Sequence, residues 1–176
     1  MMKRIKLYIA MSLDGYIATR DGNINWLSAV EGEGDNGYFA FFSSIDTVVM
    51  GRLTYEWILK NNTYFPYAQQ KCYVVTSKKM PSIGNVHFIE GDFKEIADKL
   101  REETEKDICL IGGAQLFEGF LQLGEVDDLI ISIAPIILGD GIRLFTDFHE
   151  ASYWQLTKTA TYNQFAELTY KKKEES

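Results

Sequence analysis

Three short stretches carry residue types able to hold an anion. Met50-Gly51-Arg52-Leu53-Thr54 places a glycine and a guanidinium directly after an apolar run. Thr76-Ser77-Lys78-Lys79 sets two hydroxyls beside two cations, a group suited to a terminal phosphate. Ile111-Gly112-Gly113-Ala114-Gln115-Leu116 puts paired glycines ahead of a helical pattern. Glycine lets backbone approach a ligand closely, and the free N–H groups of a helix start favour negative charge. Each stretch follows a run rich in β-branched residues. Ligands of open α/β sheets lie beyond the carboxyl ends of the strands, so three such ends would line one long anionic molecule.

The remaining sequence offers little competing chemistry. The dinucleotide fingerprint G-x-G-x-x-G is missing around Gly112, which disfavours an ordinary Rossmann domain. There is no G-x-S-x-G elbow and no P-loop. His87 and His149 lack ligand-spaced partners and read as structural or surface residues. Cys72 and Cys109 each sit inside an apolar run and read as buried, reduced thiols, with no disulfide framework or zinc module.

The 176 residues carry 18 Lys+Arg against 25 Asp+Glu, a formal net charge of −7. That balance argues against a dedicated nucleic-acid or membrane-surface binder, whose affinity comes largely from neutralising anions. A small anionic ligand remains compatible, because one local pocket can oppose the global charge. The length predicts a single domain, 1–176. No segment approaches the roughly 20 apolar residues that span a bilayer, and Lys6 interrupts the N-terminal apolar stretch, so the expected location is the cytoplasm.

Positioning these stretches requires a sheet. Apolar runs over 5–11, 47–50, 71–76, 86–89, 107–111 and 129–133 suit strands buried on both faces. Helical patterns lie between them at 37–44, 54–60, 93–104 and 114–123; in the third, Asp92 is the expected N-cap. Segments 154–161 and 165–171 alternate instead, predicting an antiparallel hairpin. The fold class is therefore α/β, with a mostly parallel central sheet and an antiparallel C-terminal hairpin.

The order of these motifs resembles the dihydrofolate reductase-like superfamily over nearly the whole chain. Ser12-Leu13-Asp14-Gly15-Tyr16-Ile17-Ala18, followed by Trp26, is similar to the end of its first strand and its substrate loop. Val48-Val49-Met50-Gly51-Arg52 with Thr54 is similar to its second strand and cofactor turn, and Ile111 to Phe117 to its diphosphate turn. Ala134-Pro135-Ile136-Ile137-Leu138-Gly139-Asp140-Gly141 resembles the RibD C-terminal reductase domain of riboflavin biosynthesis and its stand-alone relatives. The zinc-deaminase signature that accompanies that domain in the bifunctional enzyme does not occur here.

The resemblance implies a three-layer reductase fold and NADPH as cofactor. Gly51, Arg52 and Thr54 would contact the nucleotide, and Thr76, Ser77 and Lys78 the adenosine ribose with its 2′-phosphate. Ile111, Gly112, Gly113, Ala114, Gln115 and Leu116 would form the diphosphate turn, with a cis Gly112–Gly113 peptide. Asp14 and Trp26 would face substrate. Counting back from Met50 puts Asp35 in the family's proton-donor position, although its setting in Glu31-Gly32-Glu33-Gly34-Asp35-Asn36-Gly37 equally suits a helix cap. The expected activity is reduction of a small heterocyclic or ribosylamino substrate by a homodimer. The alternative is a nucleotide-binding or ligand-sensing protein without turnover.

Overall fold

The structure, a computed structural model, describes residues 2–174. Ten strands and four α-helices occur among these residues. They are β1 (Ile5–Ser12), β2 (Tyr16–Ala18), α1 (Tyr38–Phe42), β3 (Ile45–Gly51), α2 (Arg52–Asn61), β4 (Lys71–Val75), β5 (Val86–Ile89), α3 (Phe93–Glu103), β6 (Asp107–Gly112), α4 (Ala114–Gln122), β7 (Asp128–Ala134), β8 (Ile142–Arg143), β9 (Trp154–Tyr162) and β10 (Phe165–Lys172). Eight of the strands form one sheet in the order β5-β4-β3-β6-β1-β7-β10-β9. The pairs from β5 through to β7 are parallel, whereas β10 lies antiparallel to both β7 and β9. All six parallel strands thus point their carboxyl ends at one edge.

Side-chain alternation sends successive residues to opposite faces of this sheet. On one face Leu7, Val49, Leu110 and Ile131 pack with Ile96 and Leu100 of α3 and Phe117 and Phe120 of α4. On the other, Val48, Met50, Cys72, Val74 and Cys109 pack with Phe42 of α1 and Tyr55 and Ile58 of α2. The result is a three-layer sandwich of helices, sheet and helices. Asp92 caps α3 as expected, accepting from the Glu95 N–H at 2.9 Å.

The amino edge of the sheet is closed by ion pairs. Arg4 meets Asp128 at 2.6 Å, and Arg101 meets Glu125 and Asp127 at 2.5 and 3.2 Å. These cations are committed far from the strand ends where an anion would bind. Both cysteines are buried and unbridged, with burial pushing the Cys72 thiol up to about 12 and Cys109 upward as well. Neither is a reactive thiolate. No helix among the described residues is long and apolar enough to cross a membrane.

Sequence periodicity missed two strands. β2 and β8 form a separate two-stranded antiparallel pair, too short for a pattern to register. Segment Asn25–Ala29, which carries Trp26, is a 3-10 helix.

Candidate active site

Gly51 and Gly112 end adjacent strands, β3 and β6, with Met50 opposite Gly112 across a register shift. Gly51 is the N-cap of α2, and Gly113 is the N-cap of α4. Neither helix has a side-chain cap or an acidic residue in its first turn, in contrast to α3. Two helix starts with free N–H groups therefore converge on one strand-end crevice, which is electrostatically suited to a diphosphate. The Gly112–Gly113 peptide is cis, as the resemblance implies, and Gly112 holds φ +137°.

The crevice is close-fitting because its glycines carry no side chains. A Cβ built on Gly113 would lie 3.4 Å from the Thr54 hydroxyl, and one on Gly51 would lie 3.9 Å from the Gly112 carbonyl. Thr54 of α2 thus packs against the glycine pair of β6, and residues predicted from two separate motifs share one cradle. Ala114, Gln115 and Leu116 form the first turn of α4. Ile111 faces the opposite side of the sheet, packed with the α1–α2 core.

The basic residues are arranged differently from one another. Arg52 donates to Glu56 at 2.6 Å and is one-third exposed. Thr76 is buried at the end of β4, where its hydroxyl accepts the Lys78 N–H at 3.1 Å. Ser77 and Lys78 beyond it are exposed. These donors sit two strands away from the Gly112–Gly113 turn along the same edge.

A cavity of about 390 Å³ opens beside β1 and β7. Its walls include Tyr8, Ala10, Ser132 and Phe165 from the sheet, Leu27, Ser28, Val30, Asp35 and Asn36 from the segment ahead of α1, and Tyr38 at the start of α1. Tyr8 stacks on Phe41 with ring centroids 4.1 Å apart, which fixes one side of the cavity to α1. The β9–β10 hairpin closes the far side. The Gln164 N–H donates to the Glu31 carbonyl at 3.1 Å, and a Cβ on Gly37 would collide with the Tyr162 hydroxyl.

Asp35 reaches this cavity, but both of its carboxylate oxygens already accept backbone N–H groups, from Gly37 at 3.0 Å and Phe39 at 2.8 Å. The carboxylate therefore holds the turn that leads into α1, whose N-cap is Gly37. An Asn side chain keeps one of these two acceptors and Ala neither, so Asp35→Ala is expected to cost about 0.5–2 kcal/mol and Asp35→Asn less. Chemical denaturation of the two variants checks this difference.

Asp14 has a structural setting. Its carboxylate accepts the Ser12 hydroxyl at 2.6 Å and the N–H groups of Leu138 and Gly139 at 3.1 and 2.8 Å. The Ser12 hydrogen bond foremost, with the two backbone donors, holds it below the usual carboxylate range. Asp14 thereby ties the β1–β2 turn to the Ile136–Gly141 segment, and it is not among the cavity's lining residues. Trp26 is likewise not a lining residue, although Leu27 and Ser28 beside it are. Its indole N–H is buried without an acceptor among the described residues.

The RibD C-terminal domain family matches residues 3–165. The chain belongs to that family. This RibD C-terminal domain is 39% identical to YwjB of Bacillus subtilis strain 168, over 97% of the chain and 98% of the relative. Among solved structures, it superposes with a TM-score of 0.88 on a putative riboflavin biosynthesis protein from Shewanella sp. PV-4, at 26% identity, covering 97% of this chain and 99% of that one. A dihydrofolate reductase from Enterococcus faecalis complexed with NADP(H) superposes at 0.71 over 97% of both chains, with 18% identity, which shows the shared fold. The RibD C-terminal domain thus has the dihydrofolate reductase-like architecture, and the family it belongs to is reductase-like.

Sequence reasoning missed Tyr8, Ser132 and Phe165. They come from three strands distant in the chain, and only the pairing of β1, β7 and β10 brings them together. The available signal was Ser132, the polar residue in the otherwise apolar run of β7; Tyr8 shares its run with Lys6 and did not stand out.

Proposed function

We propose that this protein is an NADPH-dependent reductase acting on a small heterocyclic or ribosylamino substrate. The observation that carries the reading is the convergence of two uncapped helix starts and the Thr54-lined glycine pair at one strand-end crevice, on a sheet that also carries a cavity of substrate size against β1 and β7. When bound, NADPH supplies a hydride to an electrophilic carbon of the substrate. No protein nucleophile is needed; the chain must hold the reactants together and exclude water.

In this reading Gly112, Gly113 and the first turn of α4 bind the diphosphate through backbone N–H groups. Thr76, Ser77 and Lys78 bind the 2′-phosphate, and Arg52 exchanges its Glu56 partner for the nucleotide. Asp35 is the candidate proton donor at the cavity rim. The double variant Arg52→Ala with Lys78→Ala is expected to weaken NADPH at least about tenfold more than NADH, since charge-assisted contacts to the extra phosphate are lost. Equal losses for both cofactors, read by nicotinamide fluorescence titration, would sink the 2′-phosphate assignment.

One observation favours a second reading, ligand sensing without turnover: both Asp35 oxygens are engaged in capping. Asp35→Asn separates the two, because it removes the acid while keeping one of the two acceptors that hold the turn. Loss of NADPH oxidation in that variant supports the reductase. Saturable NADPH binding by the native protein, with no oxidation across a broad substrate panel, supports the sensor.

A homodimer is part of the proposal. Strand β9 is one of the two edges of the sheet and exposes Leu156, with Tyr153 exposed just before it, so a second copy is the expected cover. Sedimentation showing only a 20.1 kDa species would refute it. The two unbridged cysteines are consistent with a reducing, cytoplasmic location.

A further inference from the structure

One carboxylate near the cavity has no role in the reading above. Glu167 of β10 is only 7% exposed, and its register partner on β7 is Ser132. The Ser132 hydroxyl donates to Glu167 Oε2 at 3.2 Å, the one side-chain hydrogen bond Glu167 receives among the described residues. Register continues from Ser132 to Ala10 on β1, and both line the cavity. Burial raises the Glu167 carboxyl, while Ser132 and Lys158 oppose that shift. The titratable groups facing it are Tyr8 from β1 and Lys158 and Tyr162 from β9, with Asp35 and Glu33 beyond Tyr162.

Two physical consequences follow. A hydroxyl whose proton is given to a carboxylate keeps its lone pairs for another donor, and the neighbouring negative charge makes that oxygen a stronger acceptor. Moreover, no lysine, arginine or histidine is among the lining residues, while Asp35 is. A phosphate of about −1.5 to −2 charge would enter this cavity without a cation to meet it.

We infer that Ser132 is a substrate-contacting acceptor positioned by Glu167, and that the cavity takes a heterocycle presenting N–H donors and carrying no phosphate. This rests on the cavity being the reductase's substrate site. It narrows the proposed substrate class, setting aside phosphorylated ribosylamino compounds.

The test is calorimetric titration of the full chain with 2,4-diaminopyrimidine and with unsubstituted pyrimidine, followed by displacement of the diamino probe by uridine and by uridine 5′-monophosphate. The diamino probe is expected to bind at least about tenfold more tightly than pyrimidine, the effect of one hydrogen bond to the Ser132 oxygen. Uridine is expected to displace it at least about tenfold more effectively than its monophosphate. Ser132→Ala and Glu167→Gln are each expected to reduce the diamino preference to about threefold or less, and Ser132→Thr to restore it. General loosening of the cavity would weaken both probes together and leave their ratio intact.

Undetectable binding of the diamino probe, an unchanged ratio in both variants, or displacement by the monophosphate as effective as by uridine would overturn the inference. NADPH binding is titrated separately. Its failure with these preferences intact would overturn the reductase reading and leave the recognition inference standing.

Discussion

Gly113→Ala is expected to remove most NADPH affinity, at least about tenfold in Kd, while the protein stays folded. Gly113 has φ −84°, a conformation alanine adopts freely, and the added Cβ meets only the Thr54 hydroxyl at 3.4 Å. Folding therefore loses little. The added methyl instead occupies the surface against which the diphosphate would lie, at the start of α4. Gly112→Ala makes the contrast. At φ +137° alanine is strained wherever there is space, so this variant is expected to lose about 1–3 kcal/mol of stability as well as affinity. Thermal unfolding and nicotinamide fluorescence on both variants separate the two effects. Native-like NADPH affinity in a folded Gly113→Ala protein would remove the diphosphate from this turn.

The largest stability effect is expected at Gly141, about 3 kcal/mol or more for Gly141→Ala. A Cβ there would lie 2.2 Å from the Ala18 carbonyl oxygen, and φ is +144°. The obstacle is backbone, so it cannot rotate aside, and relieving it separates β2 from β8. Strain and collision act together, unlike at Gly139, where φ is +77° but the space is open. Gly139→Ala is expected to cost only about 1–2 kcal/mol. Urea denaturation of the pair measures the difference, and equal losses would show that the segment yields without cost. Because Asp14 ties this segment to the β1–β2 turn, the setting of that turn depends on it as well.

Most of the architecture was legible in the sequence because the six parallel strands are buried on both faces. Burial of that kind leaves a continuous apolar run, and Val86–Ile89 begins and ends where its composition does. The hairpin was legible for the opposite reason. Its strands are partly solvated and alternate, although β9 extends to Tyr162, leaving a two-residue turn at Asn163 and Gln164. β2 and β8 were not legible, since segments of three and two residues have no period. Their pairing is specified by Gly141 and by the backbone it permits to approach.

The strand-end residues were legible because their arrangement is local: a strand end, a glycine and a helix start adjoin in sequence, and in the proposed function backbone N–H groups perform the binding. Asp35 shows where local reading divides. Its spacing from Met50 and its place before α1 suggested two roles, and the structure puts its oxygens on the Gly37 and Phe39 N–H groups while leaving it at the cavity rim. The cavity is a property of the sheet's lateral order. Tyr8, Ser132 and Glu167 come from β1, β7 and β10, which the chain visits at its beginning and near its end. Sequence by itself determined which elements form, and where backbone could meet an anion, because those depend on neighbouring residues. Only the tertiary structure decided which side chains share a cavity and which carboxylate is buried beneath it, because strand pairing joins positions that no local pattern connects.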